Sequence, residues 1–181
     1  MKKILVIVDY QVDFVSGSLG FAAAQALEKS IYLKVEEQLA AGGQVYFTMD
    51  THYENYLQTR EGLGLPIPHC IKDSSGWNLY GSLQDFSFCS CNQKDQIFFC
   101  PKNVLGSYQL PTLIEKNNPQ ETIEAIEICG IVTNMCVISN AIVLQSYFPE
   151  TQIIVDASCC GSFDEDLHQK ALDIMASLHM Q

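Results

Sequence analysis

The chain has no apolar stretch approaching the roughly 18 to 20 residues that span a bilayer, so no membrane-spanning helix is expected. It is also short of basic residues: 10 Lys and Arg stand against 21 Asp and Glu, a net charge of −11, and no basic stripe interrupts that balance. A phosphate backbone needs a basic face, which argues against nucleic acid as a partner. Charged residues make up only 17% of the chain and apolar ones 48%, too apolar a mixture for disorder. Lys2-Lys3 ahead of Ile4 to Val8 has the outline of a signal peptide, but the run is too short, Asp9 ends it and no small-residue cleavage site follows. The expected location is the cytoplasm. No repeat, linker or low-complexity tract appears, and 181 residues suit one well-packed domain spanning 1–181.

Eight cysteines are present. A secreted disulfide scaffold is usually smaller and poorer in strand and helix patterning. Here Cys100 closes IFFC and Cys129 closes IEIC, both apolar runs, as reduced core cysteines would. Cys89-Ser90-Cys91 with Cys159-Cys160 matches no common zinc module, and adjacent cysteines are too close for independent ligation.

Apolar runs alternate with helical patterns, the sequence form of a βαβ sheet. Strands are expected at 3–8, 44–49, 96–100, 124–131 and 151–157. Helices are expected at 22–42, closed by Gly42-Gly43, near 111–116, from about 134 to 147, and from 164 to 180. Residues 51–95 carry Gly, Pro, Ser and Asn without sustained periodicity; that is too long for an ordinary connection and reads as a functional excursion with short helical turns. The continuous apolar strands predict a mainly parallel sheet covered on both faces, a three-layer Rossmann-like α/β fold. Ligands bind such sheets at the carboxyl ends of the strands. There stand Asp9 after the first strand, Asp50 and His52 after the second and Lys102 after the third. Cys136 lies beyond the fourth.

Cys136 sits in GIVTNMCV, where Thr133 or Asn134 can cap the following helix. A thiol in a first helical turn feels the positive end of the helix dipole, which favours thiolate, and the free N–H groups there can hold an oxyanion. Asp9 in VDYQVDF and Lys102 after Pro101 supply a base and a cation, enough with Cys136 to activate a thiol and stabilise charge. Taken singly each reads as an ordinary residue: a packed cysteine, a turn aspartate, a surface lysine. Asp13 reads as a structural cap. Asp50-Thr51-His52, then Glu61, then His69, whose approach Pro66 and Pro68 stiffen, form a mixed His and carboxylate set. Such a set suits zinc, iron or manganese better than calcium.

In these motifs the sequence resembles the isochorismatase-like cysteine hydrolases, nicotinamidases in particular. VDYQVDF resembles the opening V-D-x-Q-x-D-F of that family, DTH with His69 its metal motif, and GIVTNMCV its nucleophile loop. Asp156-Ala157 and H-x-x-A-L-x-x-M from His168 also match. The resemblance implies an isochorismatase-like fold, with Asp9 as acid/base, Lys102 as catalytic lysine and Cys136 as nucleophile. It implies oxyanion donors at the N–H groups of Val132 and Cys136 and a cis peptide between Ile131 and Val132. One divalent transition metal is implied at Asp50, His52, Glu61 and His69, zinc first, then manganese or iron. The implied reaction is hydrolysis of a small amide, nicotinamide to nicotinate and ammonia, as in NAD salvage.

The chain departs from the family where Leu65 and Pro66 replace an aromatic residue before the later metal histidine. Leu105 stands where nicotinamidases often have tyrosine. Phe14 is the expected wall, with Leu19, Leu105 and Tyr108 as further substrate contacts. A last strand common in relatives is expected to be missing, leaving about five strands and an edge for a partner subunit or a loop to cover; a homo-oligomer is expected. The competing readings are a same-fold hydrolase of a ureido acid or isochorismate-like vinyl ether, and a flavodoxin-like binding module. VDYQVDF lacks the glycines such a module needs for close approach to phosphate.

Overall fold

The structure, a computed structural model, describes residues 2–87, 95–119 and 122–180. Five runs form one sheet: β1 (Lys2–Val8), β2 (Gln44–Asp50), β3 (Ile97–Lys102), β4 (Ile123–Ile131) and β5 (Gln152–Gly161), in the order β3-β2-β1-β4-β5. Every pairing is parallel. β1 lies at the centre, and Ile4 to Val8 are all buried, which is why that strand reads as an unbroken apolar run.

The helices are α1 (Val12–Val15), α2 (Ala22–Ala26), α3 (Glu28–Ala40), α4 (Arg60–Gly64), α5 (Gln109–Asn117), α6 (Ile138–Tyr147) and α7 (Glu165–Ser177). α3 buries Ile31, Val35 and Leu39, four residues apart on one face, and packs against β1 and β2. α5 covers β3, while α6 and α7 cover β5. No helix among the described residues is long and apolar enough to cross a membrane.

Three boundaries differ from the sequence expectation. The helix expected over 22–42 is split at Leu27, whose N–H reaches back three residues to Ala24 O at 3.2 Å, a local tightening of the turn. β3 continues through Pro101 to Lys102, because β3 is an edge strand and a missing N–H is tolerated there. β5 extends past Ala157 to Gly161. Its residues 156–159 lie opposite Cys129 alone, since Ile128 pairs with Val155 and Gly130 with Cys160. Asp156 Oδ1 accepts from Ser158 N and Oγ at 2.9 and 2.6 Å, a turn that folds this bulge and interrupts the apolar pattern.

Within 51–95 the described residues form short helical turns at Tyr56–Gln58, Ser75–Trp77 and Gly81–Phe86 besides α4. Bridges from Gln11 to Leu79 and His52 to Ile71 pin the excursion to the sheet edge. Cys70, Cys100, Cys129, Cys136, Cys159 and Cys160 are free and buried. Cys89 and Cys91 lie outside the described residues.

The close approach of β1 and β4 has one strict requirement. Gly130 holds φ at +121°, and an added Cβ would fall 2.3 Å from Val8 O. Gly130→Ala is expected to cost about 3 kcal/mol or more of stability, read as a fall in the urea midpoint at unchanged slope.

Candidate active site

The register carries the ionisable residues to one edge. Asp50 pairs with Lys102, and Val8 lies beside both Thr48 and Gly130, so Asp9, Asp50, Lys102 and the turn after β4 converge. This edge flanks β1 where the strand order reverses, the position at which open α/β sheets bind ligands.

Asp9 is fully buried and holds φ at +47°, a strained value for a residue with a side chain. Thr48 Oγ1 donates to Asp9 Oδ1 at 2.6 Å, and Asp9 Oδ2 lies 2.6 Å from Lys102 Nζ. The same ammonium lies 3.6 Å from Cys136 Sγ and 3.6 Å from Asp50 Oδ1. Burial raises the Asp9 carboxyl above its ordinary 3.8, although Lys102 pulls it down. Lys102 stays protonated: burial opposes its charge, but Asp9, Cys136 and Asp50 more than compensate.

Burial also pushes the Cys136 thiol well above its ordinary 9.0, and Asp9 adds to that rise while Lys102 opposes it. The thiolate-favouring helix start expected from the sequence is therefore outweighed. Cys136 sits in a single π-helical turn, Thr133–Val137, and burial dominates its acidity. The resting group is a neutral thiol beside a carboxylate able to take its proton.

The turn is held by contacts other than the expected cap. Neither Thr133 nor Asn134 caps it; Val132 occupies the cap position. Thr133 Oγ1 instead pairs with His168 Nδ1 at 2.8 Å, and Asn134 Oδ1 accepts from Ser162 Oγ at 2.7 Å. These contacts tie the turn to α7 and to the end of β5. The peptide between Ile131 and Val132 is cis, as the resemblance implies.

Two buried amides that the sequence does not flag fix the surroundings. Gln11 accepts from Asp50 N at 2.7 Å and donates to Asp50 O at 2.9 Å and Trp77 O at 2.8 Å. Asn140 accepts from Ser107 N at 2.9 Å and donates to Leu105 O at 3.1 Å and Cys136 O at 2.8 Å, clamping the 105–107 loop onto the nucleophile turn. Their polarity within apolar segments is the signal available from sequence. Asp13 Oδ2 accepts from Cys70 N at 2.8 Å and so anchors the segment that carries His69.

Asp50, His52 and His69 are buried, and their ligand atoms all lie within 4.8 Å of one another. Asp50 Oδ2 is 3.0 Å from His52 Nε2 and 3.3 Å from His69 Nε2; Glu61 Oε1 is 3.7 and 3.8 Å from the same two nitrogens. His52 Nε2 has no partner of hydrogen-bonding geometry although it is buried. His69 Nδ1 lies 2.8 Å from Ile67 O, a contact that places its proton on Nδ1 and leaves the Nε2 lone pair facing the cluster. Burial would raise the Asp50 carboxyl, but its charged and polar neighbours, Lys102 among them, hold it well below its ordinary value. An orphaned nitrogen, a second directed lone pair and an ionised carboxylate are what a divalent transition metal requires, so these residues fit one.

Between this cluster and Cys136 lies a cavity of about 440 Å³. Phe14, Leu19 and Leu105 line it, as expected from the sequence, and Leu65, Val104 and Met135 complete one wall. Phe163 closes another side; it lacked a signal because β5 was expected to end before it. Tyr108 is 73% exposed and lines a separate hollow beside Pro101 and Gln109, outside this cavity.

This fold and edge are those of a known hydrolase class. The chain belongs to the isochorismatase family, whose isochorismatase domain description matches residues 3–180. Among solved structures it is similar to the pyrazinamidase/nicotinamidase of Streptococcus mutans, at 28% identity and a TM-score of 0.85, covering 98% of this chain and 97% of that one. It is similar to the nicotinamidase/pyrazinamidase PncA of Bacillus subtilis, at 25% identity and a TM-score of 0.84, covering 100% and 98%. The pyrazinamidase of Pyrococcus horikoshii in complex with zinc shares the fold at 19% identity and a TM-score of 0.78, covering 100% and 98%.

Asn140→Ala would leave the buried Ser107 N without its partner and would release Leu105 O from the turn that carries Cys136. A loss of about 3 kcal/mol of stability is expected in urea unfolding.

Proposed function

We propose that the protein is a cysteine amidohydrolase that cleaves the carboxamide of a small molecule, nicotinamide first among candidates. The observation that carries this is the contact of Lys102 with both Asp9 and Cys136, at 2.6 and 3.6 Å, where Cys136 lines an apolar cavity. The relatives named nicotinamidase or pyrazinamidase support the choice of amide.

In this reading Asp9 accepts the Cys136 proton as sulfur attacks the amide carbonyl carbon. The carbonyl electron pair moves to oxygen, where the N–H groups of Val132 and Cys136 receive it. Collapse breaks the C–N bond, and Asp9 returns the proton to nitrogen so that ammonia leaves. Water, deprotonated by Asp9, then cleaves the thioester and restores the thiol. Lys102 keeps its charge throughout and offsets the negative charge that develops beside it. Asp50, His52, His69 and Glu61 would hold the metal. When bound it would supply an electrophilic contact for a ring nitrogen or other polar group, setting the carbonyl against sulfur. Phe14, Leu19 and Leu105 would pack on the ring.

Cys136→Ala is expected to lower ammonia release from nicotinamide at least about a thousandfold while the fold persists; a loss within tenfold would contradict the nucleophile. Asp9 must be ionised to act as base, and its carboxyl is raised above 3.8, so activity falls as pH drops through a value above 3.8. An acidic limb in kcat/KM at or below pH 3.8 would argue against Asp9.

Protein prepared without chelator is expected to carry ~1 transition-metal ion per chain, lost in His52→Ala, by elemental analysis. A wild-type protein free of metal whose turnover chelators leave untouched would make the cluster structural.

A further inference from the structure

The cavity over Cys136 has a larger neighbour on the side of the metal cluster. Glu61, Leu65, Val104, Leu105 and Met135 line it on one side and line a larger open hollow of about 790 Å³ on the other. The neck between them is made largely of aliphatic and thioether side chains. Beyond it the lining turns polar, with Asn55, Thr59 and Asn103 and the guanidinium of Arg60. Arg60 is exposed and has no ion pair or side-chain hydrogen bond among the described residues, in a chain where acidic residues outnumber basic ones 21 to 10.

Resting on the amide-hydrolase reading, we propose that the two hollows are one elongated site whose outer part binds a carboxylate-bearing arm of the substrate. The substrate class is then an aromatic carboxamide substituted on the ring carbon remote from the amide, with an apolar linker in the neck and a carboxylate at Arg60. Three features converge on this. The inner cavity, of about 440 Å³, shares five of its lining residues with the outer hollow, so a molecule seated over Cys136 lies against the boundary of the two. His52 and Glu61 line the outer hollow while Cys136 lines only the inner one, so the opening faces the end of the ring away from the reacting carbonyl. An arginine fork matches a carboxylate in geometry as well as charge. The overall charge of −11 repels anions at long range, so selection of an anionic arm has to come from a local contact such as this one.

The experiment compares 6-(2-carboxyethyl)pyridine-3-carboxamide, its methyl ester and nicotinamide. The acid is expected to exceed the ester in kcat/KM for ammonia release by about fivefold, the range open to an exposed ion pair. Arg60→Gln is expected to abolish that preference, and Leu105→Trp, which narrows the neck, to lower both substituted amides relative to nicotinamide. Equal rates for acid and ester, or a preference that survives Arg60→Gln, overturns the proposal. If none of the three amides releases ammonia, the hydrolase reading fails, and calorimetric binding to the wild-type protein still decides the subsite. Tighter binding of the acid than the ester, lost in Arg60→Gln, supports it, and equal binding overturns it.

Discussion

The arrangement turns on one buried ammonium. Lys102 Nζ touches the Asp9 carboxylate, the Cys136 sulfur and the Asp50 carboxylate, and all four residues are less than a tenth exposed. Removing such charges from water is costly, and their mutual attraction offsets the cost only where geometry and further hydrogen bonds are good. Thr48 supplies one such bond to Asp9, and the Gln11 amide fixes the backbone of Asp50. Two carboxylates around one ammonium leave the pocket with a negative excess. Glu61 at its margin adds to that excess, so the site electrostatically favours a further cation at His52 and His69. Asp9 and Cys136 on one side and the Asp50, His52 and His69 cluster on the other are thus joined through Lys102, so a change of charge in one is felt in the other.

This coupling explains why the sulfur is not ionised at rest. Isolated at the start of a helix, a cysteine would lose its proton readily; here burial and a neighbouring carboxylate keep the proton on sulfur. The same burial raises Asp9 as well, which makes its carboxylate a stronger base toward the neighbouring thiol. A neutral thiol in an apolar cavity is also protected from indiscriminate oxidation. The charge needed for attack appears only as the proton moves, beside an ammonium already in place.

The sheet and the convergence of Asp9, Asp50, His52, Lys102 and Cys136 were legible in the sequence because parallel strands buried on both faces read as apolar runs. Whatever follows those runs must lie on one edge. What stayed hidden depended on contacts between distant segments. Phe163 entered the cavity only because a bulge opposite Cys129 carries β5 four residues further, and no local pattern encodes a bulge whose partner strand is elsewhere. Tyr108 is a substrate contact expected from the sequence, yet its ring is exposed and borders a separate hollow. The capping roles expected of Thr133 and Asn134 gave way to His168 and Ser162, since a side chain offered two partners takes the buried one.

The loop that Asn140 holds shows how stability and selectivity share the same atoms. Its carboxamide clamps Leu105 O to Cys136 O, so the wall of the cavity and the backbone of the nucleophile turn move as one body. Leu105 then stands at a fixed distance from the sulfur, and its length sets how far the cavity opens toward Arg60. A tyrosine there would reach farther across the neck. Leucine keeps this part of the wall apolar. On the proposed reading, selection among amides would depend on what a substrate carries past Leu105 and Met135 as well as on the group over Cys136.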